Sequence, residues 1–179
     1  MKKITLVLSV FIVSFGLSAQ TYSEGDNLLN VGLGLGATFA TGSSTIPPVS
    51  VSFEHGFTEE ISAGGFLGYS GSKDELASFG GTYTFKYSYI IVGARGSYHF
   101  YSTDDLDVYG GALLGFNIAN SSVSYDGPNN NSPTPSAAST GGFTYGLHVG
   151  ARYYFNESFG AFGELGYGIS YLSLGLTMK

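Results

Sequence analysis

From Asn30 onward the side chains alternate residue by residue, with Val31, Leu33, Leu35, Ala37 and Phe39 on one side and Asn30, Gly32, Gly34, Gly36 and Thr38 on the other. A period of two marks a strand whose two faces meet different surroundings. It recurs as Val49, Val51 and Phe53 against Ser50, Ser52 and Glu54, then as Ile61, Ala63, Leu67 and Tyr69 against Ser62, Gly64, Gly68 and Ser70. A fourth run sets Ile90, Val92, Ala94, Tyr98 and Phe100 opposite Tyr89, Gly93, Arg95, Ser97 and His99. A fifth sets Val108, Ala112, Leu114, Phe116 and Ile118 opposite Tyr109, Gly111, Gly115 and Asn117. The sixth is the most regular, with Phe143, Tyr145, Leu147, Val149, Ala151, Tyr153 and Phe155 against Thr144, Gly146, His148, Gly150, Arg152 and Tyr154. Two more strands, 159–167 and 171–179, flank a tight Gly168-Ile169-Ser170 turn.

The connectors differ by turns. Those after strands one, three and five are long and polar (Thr41 to Pro47, Gly71 to Gly81, Ser124 to Gly142), while those after strands two, four and six are short and acidic (Thr58-Glu59-Glu60, Thr103-Asp104-Asp105, Asn156-Glu157-Ser158). Long extracellular loops over short periplasmic turns are the pattern of an eight-stranded antiparallel up-and-down transmembrane β-barrel. An even strand count puts both chain ends on the periplasmic side.

Charge decides which face meets lipid. Only 11% of residues are charged, too few to solvate an ordinary water-facing surface. Both arginines, Arg95 and Arg152, lie on the glycine-bearing face, as do Glu54 and Glu164. Glycines on a lumen wall make room for such side chains in a narrow barrel, so that face is expected inside, with His148 and Asn117 as further polar lumen residues. All four charges fall near the lower strand ends. Charges removed from water need opposite partners, which predicts a Glu54, Arg95, Arg152, Glu164 cluster plugging the periplasmic half of the lumen. The other reading of the same residues is a charged constriction in a narrow channel. On the outside, aromatics gather at strand ends: Phe53, Tyr98, Phe100, Tyr153, Phe155 and Phe159 below, Phe39, Tyr69, Phe143 and Tyr167 above. These are expected to form the two interfacial girdles.

Residues 1–19 read as a cleavable secretory signal: Lys2 and Lys3, an apolar stretch from Ile4 to Leu17, and Leu17-Ser18-Ala19 ahead of Gln20. The apolar run is about fourteen residues, short of the roughly twenty a spanning helix needs. The barrel domain is then 20–179. Its loss of Lys2 and Lys3 takes the formal charge from −6 to −8, with five Lys and Arg against thirteen Asp and Glu, which disfavours nucleic acid as a partner. The chain contains no cysteine, so it has no disulfide framework, thiolate metal site or lipid-bearing cysteine.

The strand Tyr89-Ile-Ile-Val-Gly93-Ala-Arg95-Gly-Ser-Tyr98, its near echo His148-Val-Gly150-Ala-Arg152-Tyr153, and the ending Glu164-Leu-Gly-Tyr-Gly168 through Leu174-Gly175-Leu176 carry a resemblance. Across Asn30 to Lys179 the chain is similar to the OmpA/OmpX-like superfamily of small outer-membrane barrels, especially the outer membrane protein β-barrel domain or porin family proteins of Bacteroidota. The resemblance implies residence in the bacterial outer membrane, contact with its lipid and insertion by the barrel-assembly machinery. It implies no single activity.

Small barrel enzymes that modify lipid need a His, a Ser and a carboxylate gathered near the outer leaflet. His55 and His99 are expected near the periplasmic end, and His148 points into the lumen. The three histidines are too scattered for a metal site. Gly32-Leu-Gly34-Leu-Gly36 lacks the Lys-Ser/Thr ending of a phosphate loop, and no cofactor is expected. Asp74 and Glu75 are expected as solvated loop charges. The leading expectation is a non-enzymatic barrel for envelope structure or surface contact, through loops whose extracellular ligand the sequence does not name. A narrow channel comes second and a lipid-modifying enzyme third.

Overall fold

Strands in hydrocarbon must pair along both edges, because no water is there to take up a free amide or carbonyl. A computed structural model describes residues 21–39, 42–78, 80–127 and 137–179, and shows how this chain does so. The expected signal segment and the Asn129-Asn130-Asn131 and Pro133-Thr134-Pro135 stretches lie outside the described residues.

Eight strands run in order: β1 (Asn27–Ala37), β2 (Ser43–Gly56), β3 (Ile61–Ser78), β4 (Gly81–Ser102), β5 (Leu106–Asp126), β6 (Ala138–Tyr154), β7 (Phe159–Tyr167) and β8 (Ser170–Met178). Each pairs antiparallel with its neighbour, and β1 pairs with β8 to close the barrel, Val31 opposite Leu176. Turns at 57–60, 103–105 and 155–158 define the lower end, where β1 begins and β8 finishes.

The apolar residues face outward. Leu33, Leu114, Leu147 and Leu165 are 57–63% exposed, while the alternate positions Asn30, Ser52, Glu54, Arg95 and Arg152 are buried. This inverts the soluble barrel and leaves an apolar belt that only a bilayer can cover. Gly64 shows what the inward glycines do. It sits in register between Glu54 and Arg95, and a Cβ there would fall 1.8 Å from the Phe53 carbonyl oxygen. Only a residue without a side chain lets β2 and β3 meet at this level.

The structure departs from the sequence expectation in two places. Much of what reads as loop is strand: β3 and β4 stay paired up to Ser78 and Gly81, and β4 and β5 up to Thr82 and Asp126. β2 leaves β3 at Ser43, and β6 leaves β5 at Ala138. A sheet built from β3, β4 and β5 therefore overhangs its neighbours β2 and β6 by about 17 Å of strand length. The residues are polar enough to read as loop, yet β-branched and aromatic ones alternate through them and backbone pairing needs nothing more.

The second departure is Phe39, expected in the upper girdle. β1 ends at Ala37 just after Gly36, whose φ of +71° breaks the alternation. Phe39 then turns over the mouth and packs against Ile91, Leu113 and Ile169, with its ring 6.3 Å from Tyr89. The other aromatics of that set lie on the outer face. Phe53, Tyr98, Phe100, Tyr153, Phe155, Phe159, Phe143 and Tyr167 are 44–73% exposed, and Tyr69 is half-buried.

Candidate functional site

Register brings the inward charges to one level. Glu54 on β2, Gly64 on β3 and Arg95 on β4 stand side by side, as do Asp107 on β5 and Arg152 on β6, and Gly150 on β6 pairs with Glu164 on β7. The Glu54 carboxylate is the hub. Its Oε1 accepts from Arg95 Nε at 3.0 Å and Arg152 Nη2 at 3.2 Å, and its Oε2 from Ser97 at 2.6 Å and Ser62 at 3.0 Å. Arg95 also grips Glu164 with both terminal nitrogens, at 3.1 and 2.6 Å, the fork geometry that makes such pairs strong. Arg152 donates to Asp107 at 2.8 Å and to Asn30 at 3.2 Å, and lies 3.8 Å over the Tyr109 ring. The Tyr109 hydroxyl donates to Glu164 at 3.1 Å.

The structure thus brings Glu54, Arg95, Arg152 and Glu164 together, and adds Asp107, Ser62, Ser97, Tyr109 and both inward histidines. His99 contacts Asp107 through Nδ1 at 2.7 Å and Ser62 through Nε2 at 2.9 Å, and His148 Nε2 lies 3.0 Å from Ser97. Asp107 stands outside the sequence expectation because it precedes Val108, where the alternating run of strand five begins. Its spacing of two from Tyr109 is the signal that puts it on the inward face.

Asn117 sits apart from this cluster, higher on the inward face, with its buried Oδ1 lacking a partner among the described residues. Around that level the lumen turns apolar. Ile91, Leu113 and Ile169 form a buried cluster against which Phe66 and Phe39 pack. Between it and the charges, a cavity of about 30 Å³ is bordered by Arg95, His148 and Glu164, room for a water molecule or two.

Below the charges, the segment ahead of β1 closes the barrel. Tyr22 is 1% exposed and lies flat on His99, with ring centroids 3.5 Å apart. Its hydroxyl donates to the Thr58 carbonyl at 2.9 Å. Lys179 holds the segment from outside through Asp26 at 2.9 Å and the Thr21 carbonyl. Burial, with Asp107 and Asp26 nearby, pushes the Tyr22 phenol up to about 12.

Ser62, His99 and Asp107 have the connectivity of a nucleophile, base and orienting carboxylate. Three features deny them that chemistry. Ser62 is fully buried, Tyr22 covers His99, and Ser62 is also held by Glu54, so there is no space for a reacting carbonyl. Among the described residues no group of His, Asp and Glu has the geometry to hold a metal ion.

Comparison with known proteins agrees on architecture. The attachment invasion locus protein Ail of Yersinia pestis, solved in complex with the heparin analogue sucrose octasulfate, superposes with a TM-score of 0.54 at 13% identity, covering 87% of this chain and 95% of Ail. The N-terminal β-barrel domain of Pseudomonas aeruginosa OprF gives 0.48 at 18% identity, over 87% and 97%. The superposition on Ail shows a shared eight-stranded barrel fold. No protein-family model matches the chain, and no curated protein matches it in sequence.

Proposed function

We propose that this eight-stranded barrel is a non-enzymatic protein of the bacterial outer membrane, with a plugged lumen and an extracellular sheet that makes surface contacts. Its lower end faces the periplasm, where the short acidic turns and the Tyr22 segment lie. The observation that carries the plug is Arg152. It is fully buried, and each nitrogen of its guanidinium donates to a lumen partner, Asn30, Asp107 or Glu54. A charge-selective pore needs its arginines facing water, and here both are tied to carboxylates beneath an apolar layer.

The overhang of β3, β4 and β5 supports the surface role, because nothing in closing the barrel requires strands of 18 to 22 residues beside strands of nine. Ail was solved with a sulfated sugar analogue. The described upper part of this chain carries Lys73 and Lys86 against Asp74, Glu75 and Asp126, too little positive charge to draw a polyanion.

Single-channel recording of the refolded protein in planar bilayers tests the plug, beside Arg95→Ala and Glu54→Ala. The native protein should give no conductance steps. Reproducible steps whose size or ion preference follows either substitution would make the cluster a selectivity site and defeat this proposal.

A further inference from the structure

Within the belt, apolar residues face out and polar ones face in. Above Ile90 the two faces exchange chemistry without any slip in the strands: β3 and β4 pair without a bulge, and β4 and β5 break register only at His99/Tyr101, far below. On the outer face of the overhang stand Lys73, Glu75, Thr84, Lys86 and Ser122. On the face continuous with the lumen wall stand Tyr83, Phe85, Tyr87, Tyr89, Val123 and Tyr125, all half-buried. Tyr83 and Tyr125 face each other across the strands with ring centroids 4.8 Å apart.

The foot of this aromatic face holds unspent hydrogen-bonding capacity. Ser70 and Ser72, opposite Tyr89 and Tyr87, are each 1% exposed, and neither hydroxyl has a partner among the described residues. Buried hydroxyls without partners are costly and call for a ligand or water. Beside Phe39 a cavity of about 270 Å³ opens between Asn117, Ala119, Thr140 and Thr144, and Asn117 Oδ1 is unpartnered too. Among the described residues the single charge on this face of the overhang is Asp74, opposite Phe85.

We propose that this face binds an uncharged oligosaccharide, which rests on and deepens the surface-contact role above. The C–H faces of a pyranose ring pack on aromatic rings, and its hydroxyls pair with Ser, Asn and Asp side chains. The alternatives fit less well. With no cation on it among the described residues, the face does not attract a sulfated or phosphorylated chain. A peptide strand would add to a sheet edge through its main chain rather than lie on a sheet face whose backbone is already paired. Lipid is excluded by direction, since the face turns toward the barrel axis.

The test uses the refolded protein in nanodiscs and three uncharged probes, maltohexaose, cellohexaose and chitohexaose, with a heparin hexasaccharide as the polyanion. At least one uncharged probe should bind. Tyr87→Ala and Tyr125→Ala should each weaken that binding tenfold or more, Tyr87→Phe should retain it, and Lys86→Ala on the outer face should leave it unchanged. Heat-modifiable gel mobility checks that each variant still forms its barrel. No binding of any uncharged probe, binding of heparin alone, or binding indifferent to both tyrosine substitutions overturns the proposal. So does a dimer that Tyr87→Ala disperses in place of sugar binding, which would seat a second copy on this face. Bilayer recordings read the lumen and sugar binding reads the overhang, so either can fail alone.

Discussion

Tyr22 lies face to face on His99, 6° from parallel, so that a residue ahead of the first strand caps a charge network carried by β2, β4, β5, β6 and β7. The phenol is held neutral by burial, with its pKa raised from 10.0 to about 12. A group whose pKa is raised on folding adds stability that is complete below its unfolded pKa and lost as pH climbs through the folded one. The Tyr22 cap should therefore loosen between about pH 10 and pH 12. Cleavage of the 21–26 segment by an alkaline protease, corrected for the activity of the protease on an unfolded peptide at each pH, should rise across that window in the native protein. In Tyr22→Phe, which keeps the stacked ring and has no proton to lose, the rise with that midpoint should be absent.

Arg152 balances Asp107 and Glu54 together. Its replacement by Ala leaves two buried carboxylates short of a partner, and breaking a buried pair from one side costs about 3–5 kcal/mol. Urea unfolding in lipid vesicles should show a loss of that order. If Arg152→Ala unfolds at the native midpoint, the cluster contributes nothing to holding the barrel together.

Ser62 joins Glu54 to His99. Ser62→Ala should cost about 1–3 kcal/mol, because it leaves buried partners unmet. A fluorophosphonate probe should leave the native protein unlabelled. Labelling that disappears in Ser62→Ala would reveal a reactive serine and an enzyme.

Phe39 and Phe143 were both expected at the upper lipid interface, yet one packs over the mouth and the other is 73% exposed on the outer wall. The chain has no tryptophan, so a single Trp reports cleanly. Brominated acyl chains should quench Phe143→Trp strongly and Phe39→Trp weakly. Equal quenching would return Phe39 to the girdle.

The eight strands and the sense of their faces were legible because alternation is a local property and the bilayer enforces it on every strand. What escaped breaks a local rule for a distant reason. Ile91 and Leu113 occupy inward positions that polarity assigns to small or polar residues, and Ile169, arriving from the last turn, gives them with Phe39 and Phe66 something apolar to touch. Asp107 lies between the acidic turn and the alternating run that begins at Val108, and it has no role until β6 sets Arg152 opposite it. Tyr22 belongs to no periodic run, so its place rests on His99 and Ser102 of β4 and on Thr58 in the turn after β2, two distant parts of the chain. The overhang was hidden differently: its alternation persists while its meaning flips, and polarity alone reads such a stretch as loop.

The Arg152 to Asn30 hydrogen bond joins residues 122 positions apart, on β6 and β1. Neither it nor the Arg152 to Glu54 contact exists while the sheet is still open, whereas Arg152 to Asp107 and Arg95 to Glu54 join strands that already lie side by side or one apart. A half-formed barrel therefore lacks the contacts that cross its lumen until the last strand is paired. Insertion of this chain should proceed as a single closing event, with the lumen network serving as the clasp that makes a nearly finished cylinder revert and a finished one persist.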